Sequence, residues 1–323
     1  MAKKVLITGG GGFIGSALAR NLVQKGFEAR LFDIDFTSHS LLCEKLGDFP
    51  NAEKVRGSVL DATAVQNAAK GCVYVVHLAA ILGVRRTEVK RLECLNVNIL
   101  GTINVLEACV KEKVEKILLS SSSEVYGEID GLPVREDAPK HPISVYGVTK
   151  LAGEEYLKAY ASRYGLKYAI VRFFNVYGPG QVAEFVMSRF VKSATENKPL
   201  IIYGDGSQIR SFCYVEDAAE GAAKALVESL GDNQIFNIGN DTEPVSIKDL
   251  AERVIAISGK KLAPEYVSMT ESDRETEREI KRRIPCIDKA KDMLTYIPKI
   301  SLAEGIKKTI DANCIIDSWS DHL

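Results

Sequence analysis

The sequence lacks the features that mark metal-binding, disulfide-stabilised and membrane proteins. Its four histidines share no spacing typical of a metal site, and its seven cysteines include no CxxC pair. Because the cysteine count is odd and a chain of 323 residues can bury a core without cross-links, we expect reduced, mostly buried thiols and a cytoplasmic protein. No apolar run reaches ~18 residues and a strand pattern starts almost at once, so we expect neither a membrane span nor a signal peptide.

An excess of one charge is also missing. The 42 lysines and arginines nearly balance the 43 aspartates and glutamates, which gives a formal net charge of −1. This balance offers no electrostatic reason to expect nucleic acid or an anionic membrane as a partner. With 46% hydrophobic and 26% charged residues, the composition is that of an ordinary globular protein. The length suits a nucleotide-binding domain followed by a smaller substrate-binding domain.

Glycine is concentrated in the run Thr8–Gly15, whose sequence is TGGGGFIG. A β-branched apolar run precedes it and apolar residues at helical spacing follow it, so the sequence predicts a strand, a tight turn and a helix. Gly9 and Gly12 permit backbone conformations that a Cβ would forbid, and Gly15 lets the helix lie close to the strand. Because the free N–H groups at the helix start favour an anion, we predict a dinucleotide-binding turn. A glycine-rich turn without a ligand is the alternative.

A carboxylate follows where a second strand should end. Asp33 lies 18 residues after Gly15, close to the separation of about 20 expected for an acidic residue that binds the ribose of a dinucleotide. A carboxylate at this place can accept both ribose hydroxyls and would repel a 2′-phosphate. No lysine or arginine follows directly, since the next residues are Ile34, Asp35 and Phe36. The sequence therefore predicts NAD rather than NADP as the cofactor.

Strand and helix patterns alternate through the first half of the chain, and the strands are continuous apolar runs. This alternation predicts an α/β fold with a doubly wound parallel (Rossmann) sheet, whose ligands bind at the carboxyl ends of the strands. Small residues at 79–80 follow one buried strand, and four serines at 120–123 follow another. We divide the chain into an NAD-binding Rossmann domain at 1–178 and a mainly substrate-binding α/β domain at 179–323, some of whose segments return to the Rossmann sheet.

Tyr146 and Lys150 lie four residues apart, on one face of a helix predicted over 144–164. Because an ammonium group beside a phenol favours the phenolate, we expect Lys150 to lower the pKa of Tyr146. The tyrosine could then act as a base near neutral pH. A tyrosine and a lysine that share a helical face by chance are the alternative, but the dinucleotide turn and the serine run upstream favour the catalytic interpretation.

Together these motifs resemble the extended short-chain dehydrogenases/reductases of the nucleotide-sugar epimerase/dehydratase family. The resemblance extends over nearly the whole chain, and its motifs are specific for the family but much less so for the substrate. The segments that carry it are TGGGGFIG at 8–15, HLAA at 77–80, SSSEVYG at 121–127, YGVTK at 146–150, RFFNVYGP at 172–179 and YGDGSQIR at 203–210.

The resemblance implies roles for individual residues. Tyr146 would remove the proton of a sugar hydroxyl while a hydride leaves the same carbon for NAD, and Lys150 would also hold the nicotinamide ribose. Ser122 would assist Tyr146, and the neighbouring Ser123 and Glu124 would complete the catalytic group. The implied cofactor contacts are Gly9, Gly12, Phe13, Ile14, Gly15, Asp33, Ser58, Val59, Leu78, Ala79, Ala80, Asn98, Tyr146 and Lys150.

A nucleoside-diphosphate sugar would be the substrate, and arginine suits it because a guanidinium group can bind a diphosphate through two hydrogen bonds. The resemblance implies that Arg210 holds the pyrophosphate, and that Asn175 and Arg283 hold other parts of the nucleotide sugar. For both arginines the alternative is a solvated surface residue, and for Asn175 a turn residue at a strand end. The implied substrate contacts are Gly83, Ser122, Asn175, Arg210 and Arg283.

The fate of the oxidised sugar would decide the reaction. A 4-keto sugar can be reduced on its other face, lose water across C5 and C6, lose carbon dioxide from a C6 carboxylate, or be released. Typical 4,6-dehydratases of the family have an aspartate in place of Ser123, and a serine cannot readily protonate the leaving hydroxyl. The pair Ser123-Glu124 is also similar to UDP-glucuronate decarboxylases, whereas the runs at 80–84 and 180–185 resemble bacterial enzymes that act at C4 of GDP-heptoses.

We therefore predict an NAD-dependent nucleotide-sugar 4-epimerase that works through a transient 4-keto-hexose. The alternatives are a UDP-glucuronate decarboxylase and a nucleotide-sugar 4,6-dehydratase or 4-dehydrogenase, for example on a GDP-heptose. A dinucleotide-binding sensor or scaffold of the same fold is a further alternative, against which the intact Ser122, Tyr146 and Lys150 argue.

The predicted oligomer is a homodimer, because the family commonly uses the helices predicted over 88–111 and 144–164 as a dimer interface. Two other segments have open interpretations. The charged segment at 271–283 is either a solvated loop or a flap over the ligand, and the tail at 315–323 is either frayed or part of an interface. Apolar positions compatible with the interface, and equally with packing on the sheet, are Leu92, Leu95, Ile99, Leu157 and Tyr160.

Overall fold

Continuous apolar runs form a seven-stranded parallel sheet at the centre of the computed structural model, which describes residues 2–36, 52–269 and 280–317. The sheet has the strand order β11-β6-β5-β4-β1-β2-β3, so the predicted doubly wound Rossmann sheet is confirmed. The strands are β1 (Lys4–Thr8), β2 (Glu28–Asp33), β3 (Ala52–Arg56), β4 (Tyr74–His77), β5 (Lys116–Ser122), β6 (Lys167–Phe173), β7 (Val176–Tyr177), β8 (Leu200–Tyr203), β9 (Ile209–Arg210), β10 (Cys213–Tyr214), β11 (Gln234–Ile238), β12 (Val245–Ser246), β13 (Pro264–Val267) and β14 (Arg282–Arg283).

Helices cover both faces of this sheet, which explains why its central strands are apolar along their whole length. On one face α1 packs with α8, and on the other α2, α5 and α6 pack together. The helices are α1 (Phe13–Gln24), α2 (Ala62–Ala69), α3 (Val84–Val89), α4 (Arg91–Leu95), α5 (Gly101–Lys111), α6 (Val145–Tyr164), α7 (Val186–Thr195), α8 (Val215–Val227), α9 (Ile247–Ser258), α10 (Asp288–Leu294) and α11 (Leu302–Ala312).

Three small sheets formed largely by the second half of the chain lie beside the main sheet. One of them has the order β12-β9-β14 and places Arg210 opposite Arg283 in a parallel pair. The last strand of the main sheet, β11, also comes from the second half and pairs with β6. The division of the chain at residue 178 stays a prediction, because strands from both sides of it share sheets.

The helix predicted over 88–111 is interrupted rather than continuous. It consists of the end of α3, then α4, a π-helical turn over Asn96–Leu100 and finally α5. Lys90, with φ −101° and ψ 48°, separates the first two pieces. A π-turn widens the helix locally and often occurs at functional sites. Here it contains the buried Asn98, whose side-chain contacts are described below.

The cysteines largely follow expectation. Free, buried thiols are present at Cys72, Cys94, Cys109, Cys213 and Cys286. Cys314, however, is disulfide-bonded, so the prediction that every thiol is reduced is wrong for this residue. Within the described part of the chain no cluster of three or more His, Cys, Asp or Glu residues could hold a metal ion. Nor does any described helix combine the length and apolarity needed to cross a membrane.

Candidate active site

A cavity of about 430 Å³ lies at the carboxyl edge of the parallel sheet. Loops after β1, β2, β4 and β5 form one side of it, and the segments that carry β7, β9 and β14 form the other. The structure thus brings together residues predicted from separate motifs. The predicted residues in its wall are Gly9, Gly12, Phe13, Ile14, Gly15, Asp33, Ser58, Val59, Leu78, Ala79, Ala80, Gly83, Ser122, Ser123, Glu124, Tyr146, Lys150, Asn175, Arg210 and Arg283.

The glycine turn fits a dinucleotide pyrophosphate. Gly9 has φ +71°, and a Cβ there would lie 2.7 Å from the backbone nitrogen of Ala79. Gly12 is the N-cap of α1 and offers no side chain to the first N–H groups of the helix, whose first residues line the cavity. A Cβ on Gly15 would lie only 2.1 Å from the carbonyl oxygen of Gly9, so the helix can approach the turn only with glycine there. This cradle offers free N–H groups and a positive helix end to an anion.

Asp33 ends β2 beside this turn. Its carboxylate accepts hydrogen bonds from the backbone N–H groups of Gly11 at 2.9 Å and Ile34 at 2.8 Å. Burial raises the pKa of Asp33, while these N–H groups oppose the rise. The carboxylate is therefore held in place on the cavity wall, where it suits a pair of ribose hydroxyls and disfavours a phosphate.

Replacing Asp33 with asparagine should weaken NAD binding about tenfold, or about 1.4 kcal/mol, and should weaken NADP binding less. The substituted side chain would lack the negative charge and one acceptor oxygen. Calorimetric titration with each dinucleotide measures the two dissociation constants, and Asp130→Asn, an exposed change outside the cavity wall, is the matched control. An unchanged ratio of the two constants would show that Asp33 does not select the cofactor.

Tyr146, Ser122 and Lys150 meet where β5 ends against the start of α6. The hydroxyl of Ser122 lowers the pKa of Tyr146 and so favours the phenolate. The ammonium group of Lys150 lies 5.6 Å from the centre of the tyrosine ring and donates to the carbonyl oxygen of Ser120 at 2.8 Å. The three side chains therefore share one corner of the cavity, as their motifs predict.

The expectation that Lys150 lowers the pKa of Tyr146 is wrong for the protein alone. Burial, assisted by the negative charge of Glu124, raises the pKa of Tyr146. Burial also lowers the pKa of Lys150 to about 8, because an ammonium group is poorly solvated there. The lysine proton is directed to Ser120 rather than to the phenol. A bound ligand with positive charge would favour the phenolate.

Glu124 forms an ion pair with Arg283 across the cavity. Its Oε1 accepts from Nη1 of Arg283 at 2.5 Å, and its Oε2 accepts from the hydroxyl of Ser144 at 3.3 Å. Only 6% of the arginine side chain and 13% of the glutamate side chain are exposed. Nη2 of Arg283 is buried and finds no hydrogen-bond partner among the described residues. An unsatisfied buried donor in a cavity wall is suited to an oxygen atom of a ligand.

Replacing Glu124 with glutamine should move the pH profile of sugar oxidation to lower pH. The charge of Glu124 raises the pKa of Tyr146, so its removal lowers that pKa, and a base is active above its pKa. The profile of kcat/KM against pH, followed by the absorbance of reduced nicotinamide, measures the shift. Glu112→Gln, on the far end of the helix that precedes β5, is the control. A profile that stays in place or moves upward would contradict the assigned electrostatics.

The predicted substrate contacts differ in how their polar groups are used. Arg210 donates from both terminal nitrogens to backbone carbonyl oxygens of Ile209, Ile280 and Lys281. Much of its guanidinium group therefore holds the strand that carries Arg283. Asn175, with φ +37°, donates to the carbonyl oxygen of Ser211.

One predicted cofactor contact lies elsewhere. Asn98 is 4% exposed and lies behind the cavity wall instead of in it. Its Oδ1 accepts from the N–H of Ile81 at 2.8 Å, and its Nδ2 donates to the carbonyl oxygen of Ile81 at 2.9 Å. Asn98 thus fixes a loop of the wall. Ser58 does line the cavity, where its hydroxyl caps the N–H of Leu60 at 3.2 Å.

The chain contributes wall residues that sequence reasoning missed. Gln181 and Ile316 line the cavity and are paired through the backbone, since the N–H of Ile316 donates to the carbonyl oxygen of Gln181. The end of the described chain is therefore part of the site, and neither interpretation of the tail anticipated this. Trp319 and most of the charged segment at 271–283 lie outside the described residues. The only available signal was the resemblance of the run at 180–185 to sugar-nucleotide enzymes.

Comparison with known proteins agrees with this geometry. The model of the NAD dependent epimerase/dehydratase family matches residues 5–239. The chain is 36% identical over 313 residues to a putative UDP-glucose 4-epimerase of Methanocaldococcus jannaschii, with 95% of this chain and 97% of the relative covered. It is also 36% identical over 321 residues to a UDP-N-acetyl-alpha-D-glucosaminuronate decarboxylase of Bacillus cytotoxicus, with 96% and 97% covered.

A solved structure has the same fold. The UDP-glucuronic acid 4-epimerase of Bacillus cereus, in complex with UDP-glucuronic acid and NAD, superposes with a TM-score of 0.87. It is 33% identical in sequence, and the match covers 96% of this chain and 98% of that one. The family resemblance and the choice of NAD as cofactor are thereby confirmed. The chain is an enzyme of the NAD-dependent epimerase/dehydratase family, whose members act on nucleotide sugars.

Proposed function

We propose that the protein is an NAD-dependent nucleotide-sugar 4-epimerase that works through a transient 4-keto sugar. The observation that supports this most is that the carboxylate of Glu124 is paired with Arg283. It is the only carboxylate of the described cavity wall near Tyr146, since the other two, Asp33 and Asp35, belong to the dinucleotide turn. Because Glu124 is paired with Arg283, and Ser123 carries no carboxyl group, no carboxyl group of the described wall residues is placed to protonate a leaving C6 hydroxyl. Oxidation at C4 and its reversal need no such acid.

The side chains of the corner divide the proton chemistry between them. The phenolate form of Tyr146, stabilised by the hydroxyl of Ser122, takes the proton of the C4 hydroxyl and becomes a phenol. The oxygen of Ser122 meanwhile accepts from the N–H of Glu124. Bound NAD would supply the acceptor, and later the donor, of the hydride at C4. Tyr146 then returns the proton to the C4 oxygen after the sugar has presented its other face. The glycine turn and Asp33 would hold the dinucleotide, with Lys150 at its ribose.

A nucleoside-diphosphate sugar suits the opposite wall. Arg283 lines this wall and is 5% exposed, and its Nη2 has no hydrogen-bond partner among the described residues, so an anionic or hydroxyl oxygen of a ligand can complete its hydrogen bonds. Asn175 and Arg210 border the same space. The diphosphate and the sugar would therefore lie between these residues and the tyrosine.

A decarboxylase is the second candidate, and the pairing of Arg283 with Glu124 is the observation that favours it. A 4-keto sugar with a C6 carboxylate is a β-keto acid, which can lose carbon dioxide without an acid beside C6. The unsatisfied nitrogen of Arg283 could bind that carboxylate. Both reactions share the oxidation at C4 and differ only in what happens to the keto sugar.

Incubation of the purified enzyme and its NAD with UDP-glucose, UDP-glucuronate, UDP-N-acetylglucosamine and GDP-linked sugars tests the proposal. We expect a product of unchanged mass whose C4 proton coupling, measured by NMR, shows inversion. A product lighter by carbon dioxide or water, or lighter by two hydrogens together with reduced cofactor, would replace the epimerase by one of the alternatives. If none of these sugars is converted, the proposed 4-epimerase activity is wrong for these substrates.

We further propose a homodimer formed through the exposed face of the interrupted helix. Val89 and Leu92 are each 77% exposed and Leu95 is 47% exposed, whereas Leu157, one of the predicted interface positions, is fully buried in the subunit core. The double variant Val89→Asp/Leu92→Asp should sediment as a monomer, because two charges would be buried in the interface. Ile297→Asp, a change at a residue that is 62% exposed elsewhere, is the control. A variant that still sediments as a dimer would rule this face out.

A further inference from the structure

A buried chain of hydrogen bonds runs from the glycine turn into the helix that follows β4. The hydroxyl of Thr8, the last residue of β1, lies 2.7 Å from Nδ1 of His77, and Nε2 of His77 lies 2.9 Å from the hydroxyl of Thr102. The Thr102 hydroxyl also lies 2.7 Å from the carbonyl oxygen of Asn98. The side chains of Thr8, His77 and Thr102 are at most 3% exposed.

The chain continues from Asn98 to the catalytic helix. Nδ2 of Asn98 donates to the hydroxyl of Thr149 at 3.0 Å, and this hydroxyl donates to the carbonyl oxygen of Tyr146 at 2.8 Å. Asn98 belongs to the π-turn and Thr149 directly precedes Lys150 in α6. Five buried side chains thus connect the dinucleotide turn with the backbone of the catalytic tyrosine.

One assignment of protons satisfies every described group in this chain. If His77 carries its proton on Nε2, it donates to Thr102, and Thr102 can give its own proton to the carbonyl oxygen of Asn98. The Thr8 hydroxyl then donates to Nδ1 of His77 and accepts from the N–H of Ala79 at 3.4 Å. Each of the hydroxyl groups and the ring N–H then has one acceptor, so these bonds all point in one direction.

The other tautomer leaves a donor unused. With the proton on Nδ1, His77 would donate to Thr8, and the Thr8 hydroxyl proton would have no acceptor among the described residues. The charged form is disfavoured as well, because burial and the nearby charge of Lys150 lower the pKa of His77 to about 3. The geometry therefore selects a neutral imidazole with its proton on Nε2.

We propose that His77, held as the neutral Nε2–H tautomer between Thr8 and Thr102, is a positioning residue that keeps the dinucleotide turn aligned with Tyr146 and Lys150. Hydride transfer requires the cofactor and the tyrosine at a fixed separation, and a displacement of about 1 Å can cost roughly 10²-fold in rate. The dinucleotide turn follows β1, whereas Tyr146 and Lys150 lie in α6. The proposal rests on the proposed function only in needing oxidation at C4, and it holds whichever fate the keto sugar has.

Thr102→Val tests the chain at nearly constant volume, and the protein offers a matched control. Thr309 is a fully buried threonine in α11 whose hydroxyl donates to the carbonyl oxygen four residues earlier, as that of Thr102 does, but it has no histidine partner. We expect Thr102→Val to lower kcat for sugar oxidation and to weaken NAD binding, each by roughly tenfold or more. Thr309→Val should change neither, and Thr102→Ser, which keeps the hydroxyl, should restore both.

Nitrogen NMR of histidine-labelled protein tests the tautomer without a substrate. The sequence has four histidines, so the His77 signals can be assigned by their loss in His77→Gln. We expect a protonated Nε2 and an unprotonated Nδ1 that do not titrate between about pH 5 and 9. A titrating ring, or a proton on Nδ1, would overturn the proposal even if the enzyme is an epimerase. Equal effects of Thr102→Val and Thr309→Val on NAD binding would mean that the hydrogen bonds of His77 stabilise the fold but do not position the cofactor.

Discussion

Replacement of Tyr146 with phenylalanine should abolish turnover while NAD remains bound. The side chain of Tyr146 lies in the same corner of the cavity as Ser122 and Lys150, whose ammonium nitrogen is 5.6 Å from the centre of the tyrosine ring. General base catalysis contributes roughly 10² to 10⁴ in rate, so kcat should fall by about that factor. The cofactor contacts of the turn and of Asp33 are untouched, since they lie on β1, α1 and β2.

Single-turnover reduction of bound NAD and calorimetric titration with NAD measure the two effects separately. Tyr156→Phe, which removes the hydroxyl of a tyrosine that is 44% exposed on the same helix, is the control and should leave both unchanged. Near-normal turnover in Tyr146→Phe would eliminate the assigned base and with it the proposed mechanism.

The largest expected effect on stability comes from Arg172→Met. Arg172 and Glu154 form an ion pair in which both side chains are fully buried, with two hydrogen bonds of 2.9 and 2.6 Å between them. Removing the arginine leaves the carboxylate of Glu154 buried, with the hydroxyl of Ser121 as its one remaining partner among the described residues. Breaking one side of a buried pair costs about 3–5 kcal/mol in the free energy of unfolding.

Urea unfolding followed by circular dichroism measures this loss. Glu53→Gln is the control, because it breaks an ion pair with Arg30 in which the glutamate side chain is half exposed. It should lower the free energy of unfolding by less than about 1 kcal/mol. A similar, small loss for both variants would show that the buried pair contributes little beyond its desolvation cost. Ser121 directly precedes Ser122, and Glu154 lies one helical turn after Lys150 in α6. Activity should therefore also fall in Arg172→Met but not in Glu53→Gln.

Local chemistry made part of the site predictable. The glycine turn, Asp33 and the tyrosine–lysine pair are each recognisable within one strand-turn-helix segment. The parallel sheet then brings these segments to one edge, because all its strands end there. Ser122 and Tyr146 both line the cavity for the same reason, since one ends β5 and the other begins the helix packed on it.

Other features depend on contacts between distant segments. Asn98 was predicted to touch the cofactor, but it is buried in the π-turn behind the cavity wall, where it bonds to Ile81. Lys150 was expected to favour the tyrosine phenolate, yet its burial and the carbonyl oxygen of Ser120 determine its state. Spacing along the sequence reports neither burial nor a carbonyl group 30 residues away.

The most direct test of the central claim uses a nucleotide sugar that the enzyme converts, carrying deuterium at C4. An epimerase that oxidises C4 and returns the same hydride to the other face yields a product of inverted configuration that retains the deuterium at C4. Mass spectrometry and proton NMR read its position. Deuterium found at C6, lost with reduced cofactor, or exchanged with solvent would contradict a reversible oxidation at C4 within one closed site.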